Sequence, residues 1–507
     1  MSSRARAVAV PCTACFCLLA GCAASPPQVT PQSAVQSAVS TPRVLPPATK
    51  EPAGPDPADL WAEIAGALPP PEGESGFGSD KSYWIPAAEI LTYQALLNFY
   101  DRNALDARVY GSDRESIDRN LRSGWVIDQD PFSVNQLAHP YSGSLYHGFA
   151  RSAGLNYWES LGYTFAASAV WEVAGETTPP SLNDQIATGI GGSFLGEAMF
   201  RTANWILERG GERPGFGREL GAAFMSPPTT VNRHLFGSRF QHLYTSDGAD
   251  VTTRAEVGAK VTRLDSRSRA ETETDTQGLG RFLVEYGRPG KVDYHYDHPF
   301  DYFTLDFAGQ TDTENHVDHL DARGLLWGTD YKTAAEFDGI WGLYGNYTYL
   351  SPGVFRLATT ALSVGTTAQD RMSDSVTMQG SILGGVGFGA AGTIASDQSD
   401  RDYHYGLSPQ ALLDLRWIFG DKAMVQLTGR DFEIGGSGYN HNGGRENVFA
   451  AEAGLTLRVW GPHALSLLCV GTWRDASYMG ADEQQQSSES LALVYTFLGG
   501  TRLGAVR

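Results

Sequence analysis

Cysteine is scarce, and most of it lies in one place. Cys12, Cys15, Cys17 and Cys22 fall near the start of the 507-residue chain, and Cys469 stands alone near its other end. No internal disulfide is available to the body of the chain, so stability must come from packing and backbone pairing. Positive charge is also in deficit: 38 Lys and Arg against 57 Asp and Glu leave a formal charge of −19. A nucleic-acid partner would require a basic footprint, and that class is excluded. Long apolar runs are missing too. Beyond the N-terminus no uncharged apolar stretch reaches the roughly eighteen residues of a membrane-spanning helix. A β-barrel evades that test, because only alternate residues of its strands face lipid.

The N-terminus is organised for export. Arg4 and Arg6 precede an apolar stretch from Ala7 to Leu19, the pattern of a secretion signal. It ends in Leu19-Ala20-Gly21-Cys22, which looks like a bacterial lipobox. That resemblance implies removal of residues 1–21 and acylation of Cys22. With Ala23 rather than aspartate next, it also implies sorting to the outer membrane. A plain signal peptide that contains a cysteine is the alternative. Residues 22–60 are rich in Pro, Ala, Ser and Thr and read as a semi-extended tether for a lipidated N-terminus. Residues 61–124 read as a helical or irregular lead-in, with a helix over 87–101 opened by Pro86.

After residue 250 the hydrophobic period becomes two. Leu455, Leu457 and Val459 alternate with Glu452, Thr456 and Arg458 on the other face. The alternation predicts strands at 254–264, 279–287, 301–308, 316–326, 332–346, 354–366, 376–392, 405–418, 423–432, 446–459, 463–475 and 487–498. Tight turns at Phe419–Lys422 and Trp460–His463 alternate with long polar links at 433–445 and 476–486. Outer-membrane barrels alternate short periplasmic turns with long external loops in this way. The alternation frays near 347–353 and 367–375. Trp327, Tyr331, Tyr344, Tyr347, Tyr349, Trp417, Phe419, Trp460 and Trp473 gather near strand ends, as interfacial aromatic girdles do. The opposite face carries Asp414, Arg416, Arg430, Glu452, Arg458 and Arg474, too much charge for a packed soluble core.

Between tether and strands, residues 125–240 hold two further helical patterns, 157–175 and 184–207, separated by Glu176-Thr177-Thr178-Pro179-Pro180-Ser181. Ser181 with Asp184 forms a capping-box pattern. Both helices carry small residues in rows: Gly162, Ala166 and Ala169, then Gly189, Gly192 and Gly196. Such rows allow close backbone approach. The segments Asn135–Tyr146, Ala150–Leu155, Trp171–Glu176, Ser181–Asp184 and Ile190–Glu197, closed by Arg201, are distinctive in order and spacing. Over residues 80–240 they resemble an uncharacterised bacterial envelope family, DUF3943. The resemblance implies an envelope protein and carries no activity with it. The order of an upstream His, a Glu-bearing helix, then Asp and glycines is also similar to small VanZ-like membrane proteins.

This segment holds the candidate chemistry. Glu172 and Glu176, at i and i+4, share a helix face, Asp184 opens the next helix, and His139 lies upstream. Three carboxylates and an imidazole can supply an acid–base pair or ligate a metal. Alternatively, Glu172 and Glu176 pair with Arg151 and Arg201, Asp184 caps its helix, and Glu197 pairs with Arg201 at i, i+4. Structural pairing is preferred, and no cofactor or metal is assigned. Ser142 and Ser144 near His139 lack a nucleophile-elbow pattern. His295/His298 and His316/His319 have metal-like spacing; three-residue spacing on a strand puts side chains on opposite faces, which argues against His316/His319, while His295/His298 falls in a link before Pro299 and reads as a pair of solvated loop histidines.

The sequence therefore predicts a mainly β chain. Its body is a twelve-stranded antiparallel up-and-down barrel over 250–500, of outer-membrane type, preceded by a helical segment that plugs the lumen or caps its periplasmic mouth. It would be lipid-anchored at Cys22 with a periplasmic N-terminus and outer-membrane lipid as its partner. The expected role is structural or transport-related in the envelope; the alternatives are a lipid- or glycan-modifying enzyme with His139, Glu172, Glu176 and Asp184 as its site, and a passive channel.

Overall fold

Backbone pairing follows the alternation of the C-terminal half around a complete circle. A computed structural model describes residues 81–506, apart from 129, 212, 241–243, 267–270, 312–315, 335, 395–400, 436–443, 479–482 and 501. The export signal, Cys22 and the tether lie outside the described residues, as do parts of the long links at 433–445 and 476–486. Among the described residues the strands are β1 Val251–Ser266, β2 Glu271–Tyr286, β3 Phe303–Gln310, β4 Val317–Ala334, β5 Phe337–Leu350 and β6 Phe355–Ser373. They continue as β7 Val376–Thr393, β8 Tyr403–Phe419, β9 Ala423–Gly435, β10 Gly444–Trp460, β11 His463–Tyr478 and β12 Gln484–Leu498. Each strand pairs antiparallel with its sequence neighbours, and β12 closes on β1 with Val257 opposite Tyr495. Closure leaves no free sheet edge.

Two expected links prove to be strand for one reason, and separately β2 begins at Glu271, well before the expected 279. The gap at 327–331 is strand, since β4 runs on to Ala334 with a register shift between Leu325 and Trp327. The link at 367–375 is mostly β6, with a shift between Asp370 and Ser373. A bulge breaks the period of two without ending the strand, so the pattern reads as a loop.

One face of the sheet looks outward and is greasy. Val257, Val261, Ile382, Val386, Leu455, Leu457 and Leu493 are exposed there, and Trp327, Trp341, Phe419, Trp460 and Phe497 are exposed near the tight-turn end. An apolar band with an aromatic border suits lipid. Tyr344 does not belong to that border: it is fully buried inside against Tyr302. Tyr347 and Tyr349 point outward but are covered by helices.

The inner face is bridged by charge. Arg281 on β2 reaches Glu452 on β10 at 3.0 Å, Arg416 on β8 reaches Glu285 on β2 at 2.5 Å, and Arg430 on β9 reaches Asp321 on β4 at 2.7 Å. These pairs join strands on different sides of the lumen and leave a cavity of about 140 Å³ between them. Near the tight-turn end the chain's own tail enters. Gln379 donates to the Gly504 carbonyl at 2.8 Å, and Gln369 exchanges two hydrogen bonds with Val506, each 2.9 Å.

The helices are therefore neither plug nor periplasmic cap, which corrects the placement expected of them. They pack on the outer wall. Phe132, Tyr157, Phe194, Leu195 and Ala198 share one core with Val284, Tyr286, Phe303, Leu305, Tyr347, Ala358, Ala390, Tyr403 and Tyr405. On β5, Tyr347 lies between Asn346 and Thr348, whose side chains bond to Ser363 and Asp321 inside the barrel, so Tyr347 faces out. The outward faces of β2–β8 are apolar or small in this sector, and an apolar helical surface buries them as lipid would elsewhere. No described helix is long and apolar enough to cross a membrane.

Candidate functional site

The helical unit comprises α1 Trp84–Ala104, α2 Arg114–Arg122, α3 His139–Ser152, α4 Tyr157–Val170, α5 Leu182–Ile186, α6 Gly192–Glu208, α7 Phe216–Met225 and α8 Pro227–Leu235. The second small-residue row sets its central contact. A Cβ at Gly192 would lie 2.6 Å from the Gly143 Cα on α3, and one at Gly196 would lie 2.9 Å from the Ser144 carbonyl oxygen. Gly192 and Gly196 thus pack on α3, whereas a Cβ at Gly189 would lie 2.9 Å from the Phe165 ring of α4; nothing lies within 4 Å of one at Gly162.

Three π-helical turns interrupt this packing, at Val134–Ala138, Trp171–Gly175 and Ala187–Gly191. The first delivers His139, the second contains Glu172, and the third follows the α5 turn that carries Asp184. A π turn shifts the helix phase and is frequent at functional sites. A short bridge between Val126 and Ser181 closes the region, with the Val126 amide donating to the Pro180 carbonyl at 2.9 Å and the Leu182 amide to Val126 at 2.8 Å.

His139, Glu172 and Asp184 come together. Each can present one ligand atom, and these atoms lie within 4.8 Å of one another. His139 Nδ1 is 3.1 Å from Thr188 Oγ1, while its Nε2 lies 3.8 Å from Asp184 Oδ2. Glu172 Oε2 accepts the Ser181 amide at 2.9 Å. Asp184 Oδ1 accepts from the Asn183 amide at 3.1 Å. Asn183 and Asn135 each donate to Asp128 Oδ1 at 2.7 Å, and both donate to the Tyr405 hydroxyl on the outer face of β8. The cluster thus sits beside the start of β8, the end opposite the Phe419–Lys422 turn.

Glu176 is close by but differently employed. Its two oxygens accept from Trp171 Nε1 at 2.9 Å and Thr178 Oγ1 at 3.0 Å. Burial pushes the Glu172 carboxyl up to about 9, with the Asp184 charge adding to the shift. Burial also holds Asp184 well above the ordinary carboxylate range, with Asp128 contributing, and raises Glu176.

Arg151, Glu197 and Arg201 form a separate group about the α3–α6 contact. Glu197 takes Arg151 and Arg201 at 2.8 Å each and His147 at 3.0 Å, all fully or almost fully buried. Burial alone would raise Glu197; the Arg151 charge, the His147 hydrogen bond and the Arg201 charge hold it below the ordinary carboxylate range. Arg201 also reaches Asp301 at 2.9 Å and the Pro299 carbonyl at 2.8 Å, tying α6 to the β2–β3 link. Neither arginine serves Glu172 or Glu176, and the cap on α5 is the Ser181 hydroxyl rather than Asp184. His319 pairs inside the lumen with Asp306 at 3.2 Å, and His298 lies 3.6 Å from Asp301.

Sequence reasoning missed Asp128, Thr188 and the Ser181 amide. Thr188 had a signal, since it follows Asp184 by four residues. Asp128 had none, because its role depends on a contact across the Val126–Ser181 bridge.

Residues 124–228 match a known domain family. It is DUF3943, a domain of unknown function. The DUF3943 segment contains the whole His139–Glu172–Asp184 cluster and the Glu197 group, and none of the barrel. No curated protein matches the chain. Solved outer-membrane channels are similar to it at low level. The anion-selective porin from Comamonas acidovorans is 8% identical, covers 49% of this chain and 100% of its own, and has a TM-score of 0.21. An outer membrane channel from Pseudomonas putida F1 is 12% identical over 49% and 95%, with a TM-score of 0.27. The channel DcaP of Acinetobacter baumannii is 10% identical over 50% and 99%, with a TM-score of 0.24.

Proposed function

We propose that this chain is an outer-membrane enzyme in which the barrel is the anchor and the DUF3943 unit acts on an envelope lipid. One observation carries the reading: His139, Glu172 and Asp184 converge within 4.8 Å on the lipid-facing side of the barrel wall rather than in its lumen. An imidazole beside two carboxylates is equipped for hydrolysis or group transfer, either by moving a proton itself or by holding a cation that activates water. The bridged lumen supports an anchoring role for the barrel over a path for solutes.

Topology supports a side of action. The described chain enters β1 and leaves β12 at the end where the tight turns lie, so a periplasmic N-terminus acylated at Cys22 places that end inside the envelope. The cluster lies at the opposite end of β8 and faces the outer leaflet in this orientation. The test uses full-length protein in detergent micelles, incubated with outer-leaflet glycolipid and with glycerophospholipids and read by mass spectrometry. The expected result is a new product mass with wild type and at least about a hundredfold less with His139→Ala, in keeping with loss of a group that moves a proton or holds a cation at the site. Folded wild type that converts neither lipid class overturns the proposal.

A further inference from the structure

We propose that His139, Glu172 and Asp184 form a binding site for a divalent transition-metal ion of the Zn2+ or Mn2+ type. The inference rests on the reading of this cluster as the working site and deepens it by naming what the site holds. Each side chain has one atom fastened to the protein and one turned to the common centre. His139 Nδ1 is engaged by Thr188 Oγ1 at 3.1 Å, which leaves Nε2 facing Asp184 Oδ2 at 3.8 Å. Glu172 Oε2 holds the Ser181 amide at 2.9 Å. Its Oε1 has no hydrogen-bond partner, although the residue is only 2% exposed. Asp184 Oδ1 takes the Asn183 amide at 3.1 Å. Outer atoms fixed in this way set ligand orientation, and their loss typically weakens metal binding by about 10–100-fold.

The donor set fits the metal class. Imidazole with carboxylates suits Zn2+, Mn2+ and Fe2+, and three protein ligands leave a position for water or substrate. Metal–ligand lengths of about 2.0–2.2 Å place adjacent ligands about 3–4 Å apart. Atoms already within 4.8 Å reach that spacing by small rotations about fixed outer contacts. Charge points the same way. Among the described residues no lysine or arginine forms an ion pair with Glu172, Glu176 or Asp184, and buried carboxylates need a cation or a proton. Arg151 and Arg201 are instead paired with Glu197, in a separate group.

The test reads metal rather than turnover, so its failure and the failure of the enzyme reading are separable. Full-length protein in micelles is equilibrated with Zn2+ or Mn2+, desalted, and analysed by elemental mass spectrometry and titration calorimetry. The expected result is about one metal per chain in wild type and less than a tenth of that in Glu172→Gln and Asp184→Asn. Retention of the barrel's heat-modifiable mobility checks the fold of each variant. Thr188→Val, which keeps all three ligands, is expected to weaken affinity about 10–100-fold and stands in if the carboxamide variants fail to assemble. Substituting Co2+ should give visible absorption bands that disappear in His139→Ala. Folded wild type without metal, or equal metal in wild type and every ligand variant, overturns the site.

Discussion

Phe194 of α6 lies on Gly345 of β5: a Cβ built at Gly345 would stand 2.4 Å from the phenylalanine ring. The glycine is thus a socket in the outer wall. Gly345→Leu should push the helical unit off the barrel, at a cost of about 1–3 kcal/mol of docking stability. Limited proteolysis should then cut within 124–228 while the barrel keeps its heat-modifiable mobility. Unchanged protease resistance in that variant would place the docking energy elsewhere.

The Glu197 group should be the stability centre of the helical unit. Glu197→Ala leaves Arg151 and Arg201 buried beside an uncharged side chain, and losing one partner of a buried ion pair costs about 3–5 kcal/mol. Hydrogen exchange in α3 and α6 should rise together in this variant, with barrel strands unchanged. Protection equal to wild type in both helices contradicts this.

The lumen should pass no steady current. Arg281–Glu452 and Arg416–Glu285 span it, and Gly504 and Val506 are held by Gln379 and Gln369 near the tight-turn end. Planar-bilayer recordings of folded protein should lack the stepwise conductance of an open porin. Regular steps blocked by no variant of the helical unit would return the barrel to a transport role.

Anchoring at Cys22 should be separable from assembly. If the lipobox reading holds, Cys22→Ala is expected to abolish fatty-acid labelling, since that reading makes Cys22 the lipid-bearing residue, while the barrel still forms from residues 251–498. Label that persists in the variant would place acylation elsewhere or rule out the lipobox reading.

Much of the barrel was legible because lipid outside and charge inside impose a period of two on every strand, as at Glu452–Val459. Two of the lost boundaries fell where bulges at Leu325/Trp327 and Asp370/Ser373 break that period, and β2 was expected too late because Glu271–Gln277 is polar throughout and shows no apolar face. Glu172 and Asp184 stood out as titratable residues at the ends of the helical patterns that carry the small-residue rows, and His139 as a titratable residue upstream of them. Their grouping was one of the two readings the sequence offered; the separate employment of Glu176 was not, because π turns rephase each helix in a way that i, i+4 counting cannot anticipate. Glu172 and Glu176, one turn apart by spacing, end with different partners for that reason.

The sequence by itself determined strand number, closure-compatible alternation and the composition of the helical segment, since these follow from local period and side-chain chemistry. Only the tertiary structure decided that the helices lie outside the wall. A greasy strand face is the same signal whether acyl chains or a helix will cover it, and Gly345, Tyr347 and Tyr405 acquire their meaning from residues more than a hundred positions away.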